Sequence, residues 1–217
     1  MNLFYIFYFS LIAVAALLSY WSLKKGNEKS FFLMVLLIAT FFVEVSSRMF
    51  SIFNIQGYSF ILHIFNILEY TMFGFYYLKS SHNNKLKRAV KLSISLFAVL
   101  CTCVSFFVYH YKGLPVINID VEGFLLFIVY THLLFSLDVD ENRFIYTHPD
   151  FWISIGILIF YGGVFVFLGL YPILLHLDTD KALKEYGFIM TPLNVVLYNS
   201  IILGLICSIR NKKYLTQ

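Results

Sequence analysis

The chain has 217 residues, of which 60% are hydrophobic, 20% aromatic and only 13% charged, with a formal net charge of +4. A soluble domain carries about 25% charged residues, and a globule of this size has too little interior to hide such an apolar excess. The balance excludes a soluble catalytic or nucleic-acid-binding domain. The positive charge reads as basic loops beside anionic headgroups rather than as a nucleic-acid footprint.

Seven apolar stretches approach the length of about 20 residues needed to cross a bilayer, at 2–23, 31–53, 58–78, 90–108, 121–137, 151–171 and 187–209. The first is expected as a retained helix, not a cleaved signal, because Lys24 and Lys25 follow the apolar run instead of preceding it. The second holds Glu44 and Arg48. A short uncharged turn at 54–57 predicts a tight antiparallel hairpin with the third span. The basic loop 79–88 leads into the fourth, which holds Cys101 and Cys103; with Cys207 in the seventh, this spacing gives neither a disulfide framework nor a metal-ligand set. The fifth span is the shortest, with Glu122 and Asp138 at its ends. A polar segment at 176–185 separates the sixth from the seventh. The expected fold is all-α: one seven-helix transmembrane bundle, a single domain over residues 1–217.

Orientation follows from the basic residues. Twelve of the sixteen Lys and Arg lie in the loops after spans one, three and five and in the C-terminal tail, against three on the other side, with Arg48 inside a span. The positive-inside rule then places the N-terminus outside and the C-terminus in the cytoplasm.

A charged side chain at mid-bilayer costs about 2.5–3.5 kcal/mol on insertion scales, so Glu44, Arg48 and Glu69 mark the bundle interior. Glu44 and Arg48 are four residues apart, which stacks them on one helical face and predicts an ion pair. At 1.5 Å per residue, Glu44 and Glu69 lie roughly 13 and 16 Å below the outer helix ends and share a level. His63, Asn66 and Tyr70 fall on one stripe near Glu69, while Tyr161, Asn194 and Tyr198 reach similar depths on the last two spans. These nine residues form the candidate ligand-binding chamber, in which two carboxylates and an arginine share protons or clamp a small polar ligand. The alternative is structural: intramembrane polar groups also tie helices together, at about 0.6 and up to 1.7 kcal/mol each. Gly156, Gly162, Gly163 and Gly169 lie inside an apolar span and are expected to permit close helix approach.

No Walker, dinucleotide-binding, zincin or Gly-x-Ser-x-Gly pattern occurs, so no catalytic residue, metal site or cofactor is assigned. Retinal is excluded because the seventh span has no lysine for a Schiff base. The three-plus-one-plus-three sugar transporters share the topology but not their Pro-Gln pair. Glu44-Val45-Ser46-Ser47-Arg48 resembles the Glu-x-x-x-Arg part of the intramembrane CAAX-protease motif, with Val43 in place of that family's second Glu; it implies Glu44, with Glu69, as base in an intramembrane hydrolase.

Pro149-Asp150-Phe151-Trp152-Ile153, running into Gly156 through Gly163, and Leu193-Asn194-Val195-Val196-Leu197-Tyr198-Asn199 resemble the small seven-span membrane proteins and histidine-kinase sensor-type membrane domains of Bacteroidetes bacteria. The resemblance covers the last third of the chain and the overall topology. It implies a sensory or signalling protein of the bacterial cytoplasmic (inner) membrane. Only eight residues follow the last span, so kinase output is expected from a separate polypeptide. The expected function is therefore a receptor-like protein that binds a small polar ligand or proton and signals through a partner such as a histidine kinase. Its other partners are membrane lipids, oligomerisation is left open, and a small-solute transporter is the alternative.

Overall fold

The computed structural model describes residues 3–53, 59–137, 144–177 and 179–210, with side chains described over 6–50, 53, 59–137, 144–169 and 188–210. Among the described residues all regular structure is helical: α1 (Leu3–Lys24), α2 (Ser30–Ile52), α3 (Ser59–Ser80), α4 (Asn84–Phe107), α5 (Val116–Phe135), a single 3₁₀ turn (Ile145–Thr147), α6 (Pro149–Leu177) and α7 (Thr179–Arg210). Six of the seven long helices are long and apolar enough to cross a membrane. The exception is α3, of similar length but carrying His63, Asn66, Glu69 and Lys79.

Three boundaries differ from the hydropathy reading. Helix α4 begins at Asn84, six residues before the expected 90, because Asn83 caps it by accepting from the Lys85 and Leu86 amides at 3.1 and 3.3 Å. The basic stretch expected as loop is thus its first turns. Helix α5 begins directly after Pro115, five residues before the expected 121, where a proline favours helix entry by fixing φ. The polar segment 176–185 is helical on both sides of residue 178, since Ala182, Leu183, Lys184 and Glu185 are strong helix formers. The expected turn at 54–57 lies outside the described residues.

Helices α1, α2, α3, α5, α6 and α7 pack each against the next, and α7 returns to α1, closing a ring; α4 lies outside it against α3 and α5. The distribution of side chains is inverted relative to a soluble protein. The largest fully buried groups include Tyr70, Tyr76, Tyr77, Tyr130 and Tyr161, while Leu17, Phe42, Leu92, Val99 and Val166 on four different helices are more than 60% exposed. Polar groups inside and an apolar belt outside suit a lipid surround, where buried polar atoms must be satisfied within the protein.

Helices α6 and α7 approach closely through small residues. A Cβ on Gly156 would lie 2.5 Å from Ser200 Cβ, and one on Gly204 would lie 2.8 Å from the Pro149 carbonyl oxygen; Gly163 lets Leu193 in at 2.7 Å. At Gly162 the nearest atom to a Cβ is 3.8 Å away, an ordinary contact, and at Gly169 no atom of the described side chains comes within 4 Å. The close-approach expectation therefore holds for Gly156 and Gly163 and fails for Gly162, while the surroundings of Gly169 lie partly outside the described side chains.

Candidate functional site

Glu122 on α5 lies at the centre of the bundle's polar interior. The sequence places it at the end of a span, but with α5 starting at Val116 it sits almost two turns inside the helix and is 1% exposed. One carboxylate oxygen accepts from Asn66 Nδ2 of α3, and the other from the Tyr161 hydroxyl of α6 at 3.1 Å. The same hydroxyl faces the Glu69 carboxyl of α3. Gly123 leaves room for this: the Tyr161 ring passes 3.3 Å from where its Cβ would stand.

A third carboxyl joins from the other side of the ring. Tyr8 of α1 donates to Glu44 of α2 at 2.9 Å, and its ring meets Tyr198 of α7 edge-on at 5.8 Å between centroids. Tyr198 in turn faces Glu44 and Glu69. Glu44, Glu69, Glu122, Tyr161 and Tyr198 all lie about 16 to 21 Å, at 1.5 Å per residue, from the lysine-bearing ends of their helices. They form one layer near mid-bundle, as the depth estimate for Glu44 and Glu69 predicts.

Other expected members are placed differently. Glu44 and Arg48 do not make the ion pair suggested by their spacing: Glu44 is bonded by Tyr8, and Arg48 points outward, exposed, with a contact of its own elsewhere. From Phe42 onward no described side chain of helix α2 is fully buried, so the shared face does not stay interior. Tyr70 turns to α4, bonding Ser93 at 2.8 Å and packing on Phe97 at 4.3 Å. His63 forms a second group with α4 and α5: its Nδ1 lies 2.8 Å from Ser105 Oγ, which also accepts from Asn118 at 3.0 Å. Tyr109 and Tyr111 cover its ring at 5.5 and 5.6 Å. Asn194 is half-buried on α7. Among the described residues no three His, Cys, Asp or Glu come together as metal ligands.

A separate polar assembly closes the lysine-bearing end. Lys29 pairs with Asp150 at the start of α6 at 3.0 Å, and Tyr76 of α3 donates to the other Asp150 oxygen. Beside it, Asn27 and Ser22 bond Ser208 of α7 at 2.7 and 3.0 Å, and Ser30 bonds Ser22 at 2.7 Å. The turn that presents Lys29 is fixed by Gly26 at φ +96°, with the Asn27 amide on the Ser22 carbonyl and the Gly26 amide on that of Leu23, a Schellman ending of α1. Lys79 and Glu28, at 2.8 Å, form an exposed pair over the same turn, and the ammonium holds the Glu28 carboxyl below the usual carboxylate range.

Six membrane-length apolar helices packed around a hydrogen-bonded polar interior define a multi-pass helical membrane architecture. No family model, curated protein or solved structure matches the chain.

Proposed function

We propose that the chain is a receptor-like protein whose mid-bundle carboxyl cluster takes up a proton or a small polar ligand and passes the change to a partner at the lysine-rich face. The observation that carries this reading is the convergence of Glu44, Glu69 and Glu122 from three helices on tyrosine hydroxyls of three others. An array of acceptors with no lysine or arginine bonded to it, among the described residues, suits a ligand that brings positive charge. In this reading all seven helices span, with the N-terminus outside and the lysine-rich end in the cytoplasm of a bacterium, facing a separate signalling protein such as a histidine kinase. Helix α3 crosses despite its polarity because its polar stripe faces five other helices.

The Lys29–Asp150–Tyr76 and Ser22–Asn27–Ser208 groups favour a receptor over a transporter, since a through-path would have to break both. The test uses proteoliposomes with an environment-sensitive dye at Lys85→Cys in a cysteine-free background. The expected result is a dye response to external pH or added organic amines that is lost in folded Glu69→Gln and Glu122→Gln variants. A response unchanged in both variants would reduce the cluster to structural glue. Solute flux that depends on the carboxyls would establish transport instead. Dye quenching by a membrane-impermeant agent, added to one side at a time, checks the orientation.

A further inference from the structure

The lysine-rich end carries another assembly, on the outside of the ring. Tyr20 and Trp21 project outward near the end of α1, and Lys24 and Lys25 fold back over them, with ammonium groups 4.8 and 5.6 Å from the ring centroids. Lys25 also reaches the Ile209 carbonyl at 3.5 Å, which brings it beside exposed Arg210 at the end of α7. On the far flank of α7, the Tyr146 carbonyl is held by Trp152 Nε1 at 2.8 Å and approached by Cys207 Sγ at 3.8 Å. Phe144 and Tyr146 are left stacked on each other and exposed.

Charge pairing separates these cations from their neighbours. Lys29 and Lys79 at the same end have carboxylate partners, whereas among the described residues no carboxylate pairs with Lys24, Lys25 or Arg210. Three cations thus gather where an apolar helix surface, with Leu17 and Leu203 exposed, meets an aromatic rim. Aromatic rims mark the headgroup level of a bilayer, and clustered basic residues just beyond a span recognise anionic headgroups.

We propose that this face, made by the ends of α1 and α7 and the turn before α6, is a binding site for an anionic phospholipid. Its phosphate is held by Lys24, Lys25 and Arg210, its glycerol backbone lies against Trp21 and Tyr146, and its acyl chains follow Leu17 and Leu203. Oxygen-rich phosphate supplies the acceptors these cations lack in the protein, and the lysine stems lying over aromatic rings keep the charges at headgroup depth. The site depends on the membrane setting and not on what the carboxyl cluster binds.

The experiment is native mass spectrometry of the detergent-purified full chain titrated with dioleoyl phosphatidylglycerol or dioleoyl phosphatidylcholine. At roughly fivefold in affinity per basic residue near a membrane surface, the wild type should prefer phosphatidylglycerol by about tenfold or more. The Lys24→Gln/Lys25→Gln/Arg210→Gln variant should fall to near parity between the two lipids. A control that removes the same charge from α4, Lys85→Gln/Lys87→Gln/Arg88→Gln, should keep the preference. Equal loss in both variants would mean diffuse charge attraction, and retention in both would place the lipid elsewhere; either overturns the site. Wild-type protein that binds both lipids alike also overturns it, even if the triple variant does not fold.

Discussion

The Lys29–Asp150 pair offers a quantitative test of how the lysine-rich end is held. The Asp150 side chain is 2% exposed and that of Lys29 14%, with 3.0 Å between charges. Removing the cation in Lys29→Met leaves a buried carboxylate with the Tyr76 hydroxyl bonded to it and the His148 imidazole nearby. Breaking a buried pair from one side costs about 3–5 kcal/mol, and the partial exposure of Lys29 places this case near the lower end, at about 3. Asp150→Asn preserves an acceptor for Tyr76, and the Lys29 ammonium can turn toward water through its open side, so about 1–2 kcal/mol is expected. The double variant strands no charge and should lose no more than about 2 kcal/mol, which makes the coupling between the two sites about 2 kcal/mol or larger. Unfolding in mixed micelles, followed by the fluorescence of Trp152 two residues from Asp150 and by circular dichroism, gives the four free energies. Additivity within about 0.5 kcal/mol would refute the view that this pair is a desolvated latch and would class it with weak surface pairs.

Gly156→Ala and Gly204→Ala should each destabilise by about 1–3 kcal/mol, since the new methyls would meet Ser200 Cβ and the Pro149 carbonyl with no flexible side chain to yield. Gly162→Ala should be neutral or gain up to about 1 kcal/mol of helix propensity, since its nearest contact is an ordinary 3.8 Å; thermal unfolding in detergent separates the two groups. Glu122→Leu should cost about 1–3 kcal/mol in the same assay, because it strands the Asn66 amide while the Tyr161 hydroxyl keeps the Glu69 carboxyl as acceptor. Glu122→Gln keeps an acceptor and should cost clearly less. Asn83→Ala should remove about 1 kcal/mol and fray the first turn of α4, measurable by amide exchange at Lys85 and Leu86, while Asn83→Ser should recover most of it.

Helix number and rough placement were legible because a membrane-length apolar run has few alternative uses, and the seven expected spans each overlap one of the seven helices. The ends were less legible because hydropathy registers apolarity, not hydrogen bonding. The cap at Asn83 and the entry at Pro115 lie in polar or turn-like sequence, and both lengthen their helices. Glu122 was missed for that reason: Pro115 was the available signal, and a helix begun there carries Glu122 into the interior. Glu44 and Glu69 were found by their cost in an apolar run, yet the Glu44–Arg48 pair was not realised. Spacing along one helix says which residues share a face, and not whether that face stays interior over its whole length. Tyr8 carried no signal at all, since one tyrosine among sixteen in the chain is indistinguishable from an interfacial belt. The latch was equally hidden: Lys29 and Asp150 are 121 positions apart and look like ordinary loop charges until the fold joins them.

Helix α3 explains why apolarity and position in the bundle part company. It packs on α2, α4 and α5, and its side chains reach α6 through Phe73 against Tyr161 and Tyr76 on Asp150. A helix surrounded in this way gains more from groups that bond its neighbours than from apolar bulk, because the lipid-facing stripe is narrow and each buried polar atom of a neighbour needs a partner. Its polar residues are the reason it lacks the hydropathy of the other six, and they are also what the other helices are built around. Asn66 bonds Glu122 in the mid-bundle cluster, while Tyr76 bonds Asp150 in the closure at the lysine-rich end, about 15 Å further along the same helix. One rigid element therefore belongs to both polar assemblies, so a shift of α3 that rearranges the carboxyl layer must also move the hydroxyl that helps hold Asp150.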